Sequence, residues 1–158
     1  MVTIDVLTRL GGSVMEETVG TRVRLDDANV ILVGRSQEQV ALLLNDAIHK
    51  VMSRYSANLA SAGITLSTDA LERMVCFAVL RRMYVLNAMI PQDRKSREWI
   101  GFAEYDMTGD PLVRDVVRRF CSKFFGKDYH RYAAAVLGIP TDEFATWERR
   151  RIEFLNMW

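Results

Sequence analysis

The sequence predicts a mainly α-helical fold, a helical bundle of two long antiparallel helices and shorter C-terminal helices with a small β-hairpin. Three observations lead to this prediction. Between Ser36 and Ala62 the apolar residues recur with the helical repeat. From Thr68 to Leu86 the chain is apolar on nearly every side, which is typical of a helix that is covered all round. Residues 21–33 instead alternate between polar and apolar side chains, and this pattern predicts the hairpin.

The chain is expected to begin with a two-turn helix that docks on the body. Its apolar residues can share one helical face, and they are Val2, Val6, Leu7 and Leu10. Gly11 and Gly12 end this helix. The following residues, MEETVG, carry no clear pattern, so no element is predicted there.

The predicted hairpin over residues 21–33 has a four-residue loop, Asp26-Asp27-Ala28-Asn29. An isolated hairpin is marginally stable in water, so this arm must lie on helices or pair with a neighbouring copy. Exposed strand edges are a common way for ring subunits to join. The candidate subunit-pairing residues are Val23, Leu25, Val30 and Leu32.

Capping signals place the two long helices. Ser36 and Gln39 have the spacing of a capping box, and Gly63 follows the first helix as its C-terminal stop. Thr68 is the predicted N-cap of the second helix, which is expected to break between Asn87 and Pro91. Because the connection is short, the two helices should pack antiparallel.

The C-terminal third is expected to hold three further helices. Asp110-Pro111 is a compact helix start, and Gly126 ends that helix. A short helix from about residue 128 to 137 ends at Gly138, and Pro140-Thr141 begins the last one. The expected organisation is one α-helical domain over 1–158, with the hairpin arm at 21–33 and a helical extension at 110–158.

Composition indicates an ordinary globular protein. Of its 158 residues 49% are hydrophobic and 26% charged, and the net charge of +1 gives no whole-molecule attraction to nucleic acid or membrane. Cys76 and Cys121 fall inside predicted helices, which favours buried thiols in a reducing compartment over a disulfide. No signal peptide is recognisable, and Arg81-Arg82 interrupts an apolar run too short to span a bilayer. A cytosolic location is therefore expected.

The search for catalytic machinery identifies no candidate. Neither His49 nor His130 has another ligand residue at a metal-binding spacing, and no glycine-rich phosphate loop or nucleophile elbow occurs. Asp26 and Asp27 are interpreted as turn formers. We therefore predict a protein that is not an enzyme, without cofactor or metal. An enzyme with a dispersed site stays open as a third hypothesis, since spatial proximity cannot be seen in a sequence.

Basic residues form local clusters. They are Arg81-Arg82, Arg94-Lys95-Ser96-Arg97, Arg118-Arg119 and Arg149-Arg150-Arg151. One interpretation is that they are solvated faces balanced by nearby carboxylates. The alternative is contact with phosphates, in a small nucleic-acid-binding or regulatory protein or along a channel that DNA passes through. No element has the pattern of a recognition helix, which weakens the sequence-specific version.

Aromatic residues are concentrated at the C-terminus, where Phe144, Trp147, Phe154 and Trp158 occur within the last fifteen residues. They can be core residues of the last helix. Alternatively, the final Leu155-Asn156-Met157-Trp158 can anchor in a pocket on a partner, because large aromatic side chains dominate such contacts.

The order of these features resembles that of the head-to-tail adaptor, or connector, proteins of tailed bacteriophages. The matching pieces are QVALLLNDAIHKVMSRY (39–55), LERMVCFAVLRRMYVLN (71–87) and EWIGFAEY (98–105), which cover under half of the chain. Two features depart from the family pattern. Asn87-Ala88-Met89-Ile90-Pro91 stands where that family often has an Asn-Pro-Glu/Asp-Gly turn, and roughly fifty residues follow Tyr105.

The resemblance implies a non-catalytic virion protein of the phage neck, assembled in the host cytoplasm. About twelve copies would form a ring that meets the portal protein and tail or neck proteins, and passing double-stranded DNA would be contacted without sequence specificity. C-terminal segments of such adaptors tend to reach the portal. Transferred to this chain, the expected portal-contact residues are Trp147, Arg149, Arg150, Arg151, Phe154, Leu155 and Trp158.

Overall fold

The computed structural model describes residues 2–89 and 108–156, and it confirms the mainly α-helical class. In chain order the elements are α1 (Val2–Arg9), β1 (Ser13–Glu17), β2 (Gly20–Leu25), β3 (Ala28–Val33), α2 (Gln37–Ser61), α3 (Thr68–Met89), α4 (Pro111–Phe125), a 3₁₀ turn (Gly126–Asp128), α5 (Tyr129–Leu137) and α6 (Thr141–Asn156). The segment 90–107 and residues 157–158 lie outside the described part, and with them EWIGFAEY, the cluster at 94–97 and Trp158.

The predicted hairpin is part of a three-stranded antiparallel sheet with strand order β1-β2-β3. Two details of the prediction are wrong. The strand β1 falls where only a featureless segment was expected, because its sequence SVMEE lacks a regular alternation of apolar residues. The turn between β2 and β3 has two residues instead of four, since Leu25 pairs with Ala28. Asp26 makes this tight turn with a φ of 52°, a conformation that aspartate tolerates better than most residues.

Gly20 begins β2 at a point where the neighbouring backbone approaches closely. It pairs with Val33 on β3, and a Cβ atom added to Gly20 would lie 2.2 Å from the carbonyl oxygen of Leu32. Only glycine fits there without moving β3. The start of β2 is therefore set by a steric requirement as well as by strand propensity.

The inner face of the sheet belongs to the core of the chain. The four candidate subunit-pairing side chains are at most 3% exposed, and they are Val23, Leu25, Val30 and Leu32. They pack with residues of the helices in the main hydrophobic cluster. In this chain these side chains therefore face inward, toward the helices.

The capping signals of α2 are confirmed. The Ser36 hydroxyl accepts from the backbone N–H of Gln39 at 3.2 Å, and the Gln39 side chain accepts from the N–H of Ser36 at 3.0 Å. The predicted start of α3 is displaced by one residue. Ser67, not Thr68, is the N-cap, because its hydroxyl accepts from the N–H of Ala70 at 3.2 Å. The helix reaches Met89, within the range 87–91 where a break was predicted.

The central helix α3 is largely covered by the fold of the chain between residues 70 and 83, as its apolar sequence predicts, although Arg81 and Tyr84 are exposed. Met74, Val75, Val79 and Met83 are at most 1% exposed. The helix packs against α2, α4 and β3. The main cluster that it joins extends from α1 to Phe144 on α6, so the 110–158 segment shares a core with the rest of the domain.

The start of α4 and the end of α5 follow the predicted signals. The Asp110 carboxylate accepts from the N–H of Leu112 at 2.9 Å, and Pro111 is the first helical residue. Gly138 ends α5 in the left-handed region at φ 72°. The two cysteines are free and buried, as predicted. Within 2–89 and 108–156, none of the helices combines the length and the apolarity needed to cross a membrane.

Candidate docking surface on the last helix

The last helix, α6, is held to the body by its first half. Phe144 is fully buried, and Glu148, one turn later, is 6% exposed. The helix packs along α5, and the ring centroids of Phe144 and Trp147 are 5.5 Å apart. This half of α6 therefore behaves as a core element.

The second half of α6 carries further apolar side chains on the helical face that bears Phe144 and Glu148. Ile152 and Leu155 follow Glu148 at helical spacing, so they lie on the face that is buried earlier in the helix. Their exposed fractions are 49% and 54%, and neighbouring Phe154 is 58% exposed. Ile152 and Leu155 are neighbours on this face, whereas Phe154, two residues after Ile152, points to another side of the helix. Exposed apolar neighbours of this kind form a candidate interaction site. We call residues 149–156 the α6 tip.

The six described members of the predicted portal-contact set divide into two groups. Arg149, Arg150, Phe154 and Leu155 are exposed on the α6 tip. Trp147 and Arg151 are instead partly buried and have partners inside the chain. The guanidinium of Arg114 lies 5.6 Å from the Trp147 ring, and that of Arg151 lies 5.9 Å from it.

The arginines of α4 and α6 converge on one carboxylate. Asp115 lies 2.9 Å from Arg119, 3.2 Å from Arg118 and 3.0 Å from Arg151. Its side chain is only 11% exposed. Asp115 therefore contacts three guanidinium groups, which joins α6 to α4.

A second buried carboxylate joins α5 to α6. The Tyr129 hydroxyl donates to Glu148 at 2.5 Å, and the His130 Nε2 atom lies 2.7 Å from the same oxygen. Arg118 on α4 is 3.8 Å from the other oxygen of Glu148. Burial, together with the bond to Glu148, raises the pKa of Tyr129 to about 12. Glu148 thus connects three helices.

The sequence did not reveal these contacts. His130 and Glu148 are 18 residues apart and lie on different helices, so no spacing signal connects them. Arg82 likewise proves to be paired, at 3.0 Å from the N-cap carboxylate of Asp110. His49 is exposed on α2, and Asp26 forms the predicted turn while pairing with Arg73 at 3.0 Å.

The described part of the chain contains no group of three or more histidine, cysteine or acidic residues that could hold a metal ion. Comparisons with protein-family models, curated proteins and solved structures found no match to this chain. Evidence about function therefore comes from the surfaces of the molecule and from the pattern of its sequence.

Proposed function

We propose that this protein is a structural component of a phage neck, a ring-forming head-to-tail adaptor that joins the capsid portal to the tail and lines the DNA channel. The single observation that carries the proposal is the α6 tip, where Ile152, Phe154 and Leu155 are exposed beside arginines on a firmly anchored helix. The sequence resemblance over residues 39–105 supplies the class of assembly.

The α6 tip is suited to docking because its base is already ordered. Phe144 is buried in the core, and Arg151 and Glu148 are held by Asp115 on α4 and Tyr129 on α5. A binding segment that is rigid before contact loses less conformational entropy when it binds. The fitting partner surface is an apolar pocket with acidic residues at its rim, because Arg149 and Arg150 flank the apolar side chains.

Ring formation would use the edge of the sheet, since the hairpin side chains face the core. The strand order makes β1 an edge strand, and residues 15–17 of this strand are exposed. Backbone groups on such an edge can pair with a strand from a neighbouring copy. In this arrangement the contact between copies is made by the main chain of residues 15–17, since the carbonyl of Val14 already accepts from the Gln37 side chain at 3.1 Å.

The experiment is affinity purification of the tagged chain from its native source, followed by quantitative mass spectrometry. The adaptor proposal expects portal and tail proteins in near-stoichiometric amounts. Leu155→Ser should reduce their recovery, whereas Leu42→Ser, at a residue equally exposed on α2, should leave it unchanged. Recovery of nucleic acid or polymerase-type partners without virion proteins would overturn the proposal.

The alternative, a small nucleic-acid-binding or regulatory protein, depends on the arginine clusters. Several of these arginines are engaged within the chain: Arg82 with Asp110, and Arg118, Arg119 and Arg151 with Asp115. Among the described residues of these clusters, Arg81, Arg149 and Arg150 remain as exposed candidates. The discriminating measurement is salt-dependent DNA binding by the isolated chain, which should have a smaller slope when residues 149–151 are neutralised.

A further inference from the structure

A groove of about 470 Å³ lies on the molecule between α3, α4 and the β2–β3 turn. Its apolar floor includes Leu80 of α3 and Val116 of α4, which are buried. A row of aromatic rings crosses this floor: the centroids of Phe77 and Phe120 are 5.7 Å apart, and those of Phe120 and Phe124 are 6.0 Å apart. Phe124 is 50% exposed at the end of the row. The groove can therefore receive a large apolar side chain.

The rim of the groove is predominantly cationic. Among the residues that the structure describes, four cationic side chains line it, Arg73, Arg81, Arg119 and Lys123, against the two carboxylates of Asp26 and Asp27 at the turn. Asp26 is already paired with Arg73 at 3.0 Å.

Arg119 can reach a ligand although it contacts a carboxylate, because its side chain is 61% exposed. Its partner, Asp115, also contacts Arg118 and Arg151. Arg81 and Lys123 are exposed on the two helices that border the groove. These positions allow an acidic ligand to be contacted from both sides.

We propose that this groove is a docking site for an acidic peptide segment of a partner protein, with a large apolar side chain placed on the aromatic row. Its carboxylates would pair with Arg81, Arg119 and Lys123 while the apolar side chain contacts Phe120 and Phe124. This inference does not depend on the adaptor proposal, because the groove is formed by α3 and α4 and not by the α6 tip.

Charge favours an acidic peptide in this groove over a nucleic acid strand and over the α6 tip of a second copy. A nucleic acid strand carries a phosphate at every nucleotide, so it would bring negative charge beside Asp27 at the turn as well as beside the cations. A peptide can place its carboxylates beside Arg81, Arg119 and Lys123 and uncharged residues beside the turn. The α6 tip of a second copy offers apolar side chains too. However, its Arg149 and Arg150 would meet the cations of the rim.

The test measures fluorescence anisotropy of a labelled probe peptide in which glutamate and leucine alternate around one central tryptophan. The control probe has lysine in place of every glutamate. The glutamate peptide should bind at least about tenfold more tightly than the lysine peptide, a difference that a few partly exposed ion pairs can supply. Equal binding of the two peptides, or no binding of either, contradicts the proposal.

Charge reversal makes the test specific to the groove. Arg81→Glu combined with Lys123→Glu should reverse the preference of the protein from the glutamate peptide to the lysine peptide. Lys50→Glu on α2, where Lys50 pairs with Asp46 at 3.4 Å, serves as the matched control and should change neither affinity. Both changes at the groove are at exposed positions, so circular dichroism should show an unchanged fold.

Phe124→Ser tests the apolar contribution and should weaken glutamate-peptide binding severalfold without unfolding the chain, because Phe124 is half exposed. Two other outcomes overturn the proposal in favour of a different occupant. One is tighter binding of a single-stranded oligonucleotide that is lost in the double charge-reversal variant. The other is a concentration-dependent dimer of the chain that Phe124→Ser abolishes.

Discussion

Arg151 on α6 lies 3.0 Å from the carboxylate of Asp115 on α4, and this ion pair joins the last helix to α4. Arg114 and Arg118 of α4 add contacts with Trp147 and Glu148 of α6. Both side chains also have other partners: Trp147 lies against Arg151, and Arg118 and Arg119 share Asp115. The direction of the α6 tip therefore depends on a polar contact as well as on the buried Phe144.

Replacing Asp115 with asparagine should lower the free energy of unfolding by about 2 kcal/mol, because three guanidinium groups lose their shared counter-charge in a largely buried place. The measurement is urea denaturation followed by circular dichroism. Asp46→Asn is the matched control, since Asp46 pairs with Lys50 on an exposed face, and it should cost less than about 0.5 kcal/mol. Equal effects of the two substitutions would contradict the assigned role of Asp115.

The N-cap side chains of α2 and α4, Ser36 and Asp110, should contribute different amounts to the free energy of unfolding. Ser36→Ala should cost about 1 kcal/mol, the usual contribution of an N-cap. Asp110→Ala should cost about 3 kcal/mol, because it removes the cap of α4 and also the ion pair with Arg82 at a buried site. Denaturation midpoints of the two variants, measured side by side, check this order, and the reverse order would show that the pair with Arg82 adds nothing.

Local signals account for what the sequence predicted correctly. The ends of α2 and α4 are determined within a few residues, by Ser36 with Gln39 and by Asp110 with Pro111. The strand β1 was not predicted because SVMEE has no regular alternation of apolar residues. It forms a strand by antiparallel pairing with β2. A strand of this kind is specified by its pairing more than by its own residues.

Contacts between distant residues account for what was not predicted. The carboxylates of Asp115 and Glu148 meet arginines from other helices, and nothing in the spacing of these residues shows which basic residues are paired. The groove likewise exists only because α3, α4 and the β2–β3 turn come together. The C-terminal aromatic residues had two interpretations, as core residues of the last helix or as an anchor on a partner. The buried Phe144 shows that core packing applies to the first half of α6, and the second half is exposed.

Stability should fall at alkaline pH. Burial raises the pKa of Cys76 and of Cys121 from 9.0 to about 12. The folded chain thus keeps both thiols protonated while the unfolded chain ionises them. Their contribution is complete below pH 9 and is lost as the pH rises toward 12.

Urea denaturation between pH 8 and pH 11, with a reductant present, measures this decline. Replacing both Cys76 and Cys121 with alanine should make the decline shallower, whatever the cost of the cavities at neutral pH. Tyr129, whose pKa is raised from 10.0 to about 12, contributes over the upper part of this range in both proteins. An identical decline in the variant and the parent protein would show that the thiols are not responsible.

The apolar residues of the α6 tip should matter for association and not for folding. Ile152→Ser and Leu155→Ser should each change the free energy of unfolding by less than about 0.5 kcal/mol, because both side chains are about half exposed. Phe144→Ala, on the same helix but fully buried, should cost about 3 to 5 kcal/mol. Thermal and urea denaturation of the three variants separates the two halves of the helix.

The most direct test of the central claim is the recovery of portal and tail proteins with the tagged chain from its native source, compared between the parent protein and the Ile152→Ser, Leu155→Ser double variant. The adaptor account predicts near-stoichiometric recovery with the parent protein and at least about a tenfold reduction with the double variant, at unchanged stability and with the Leu42→Ser control unaffected. Equal recovery with the double variant, or the absence of virion proteins from the parent sample, would contradict it.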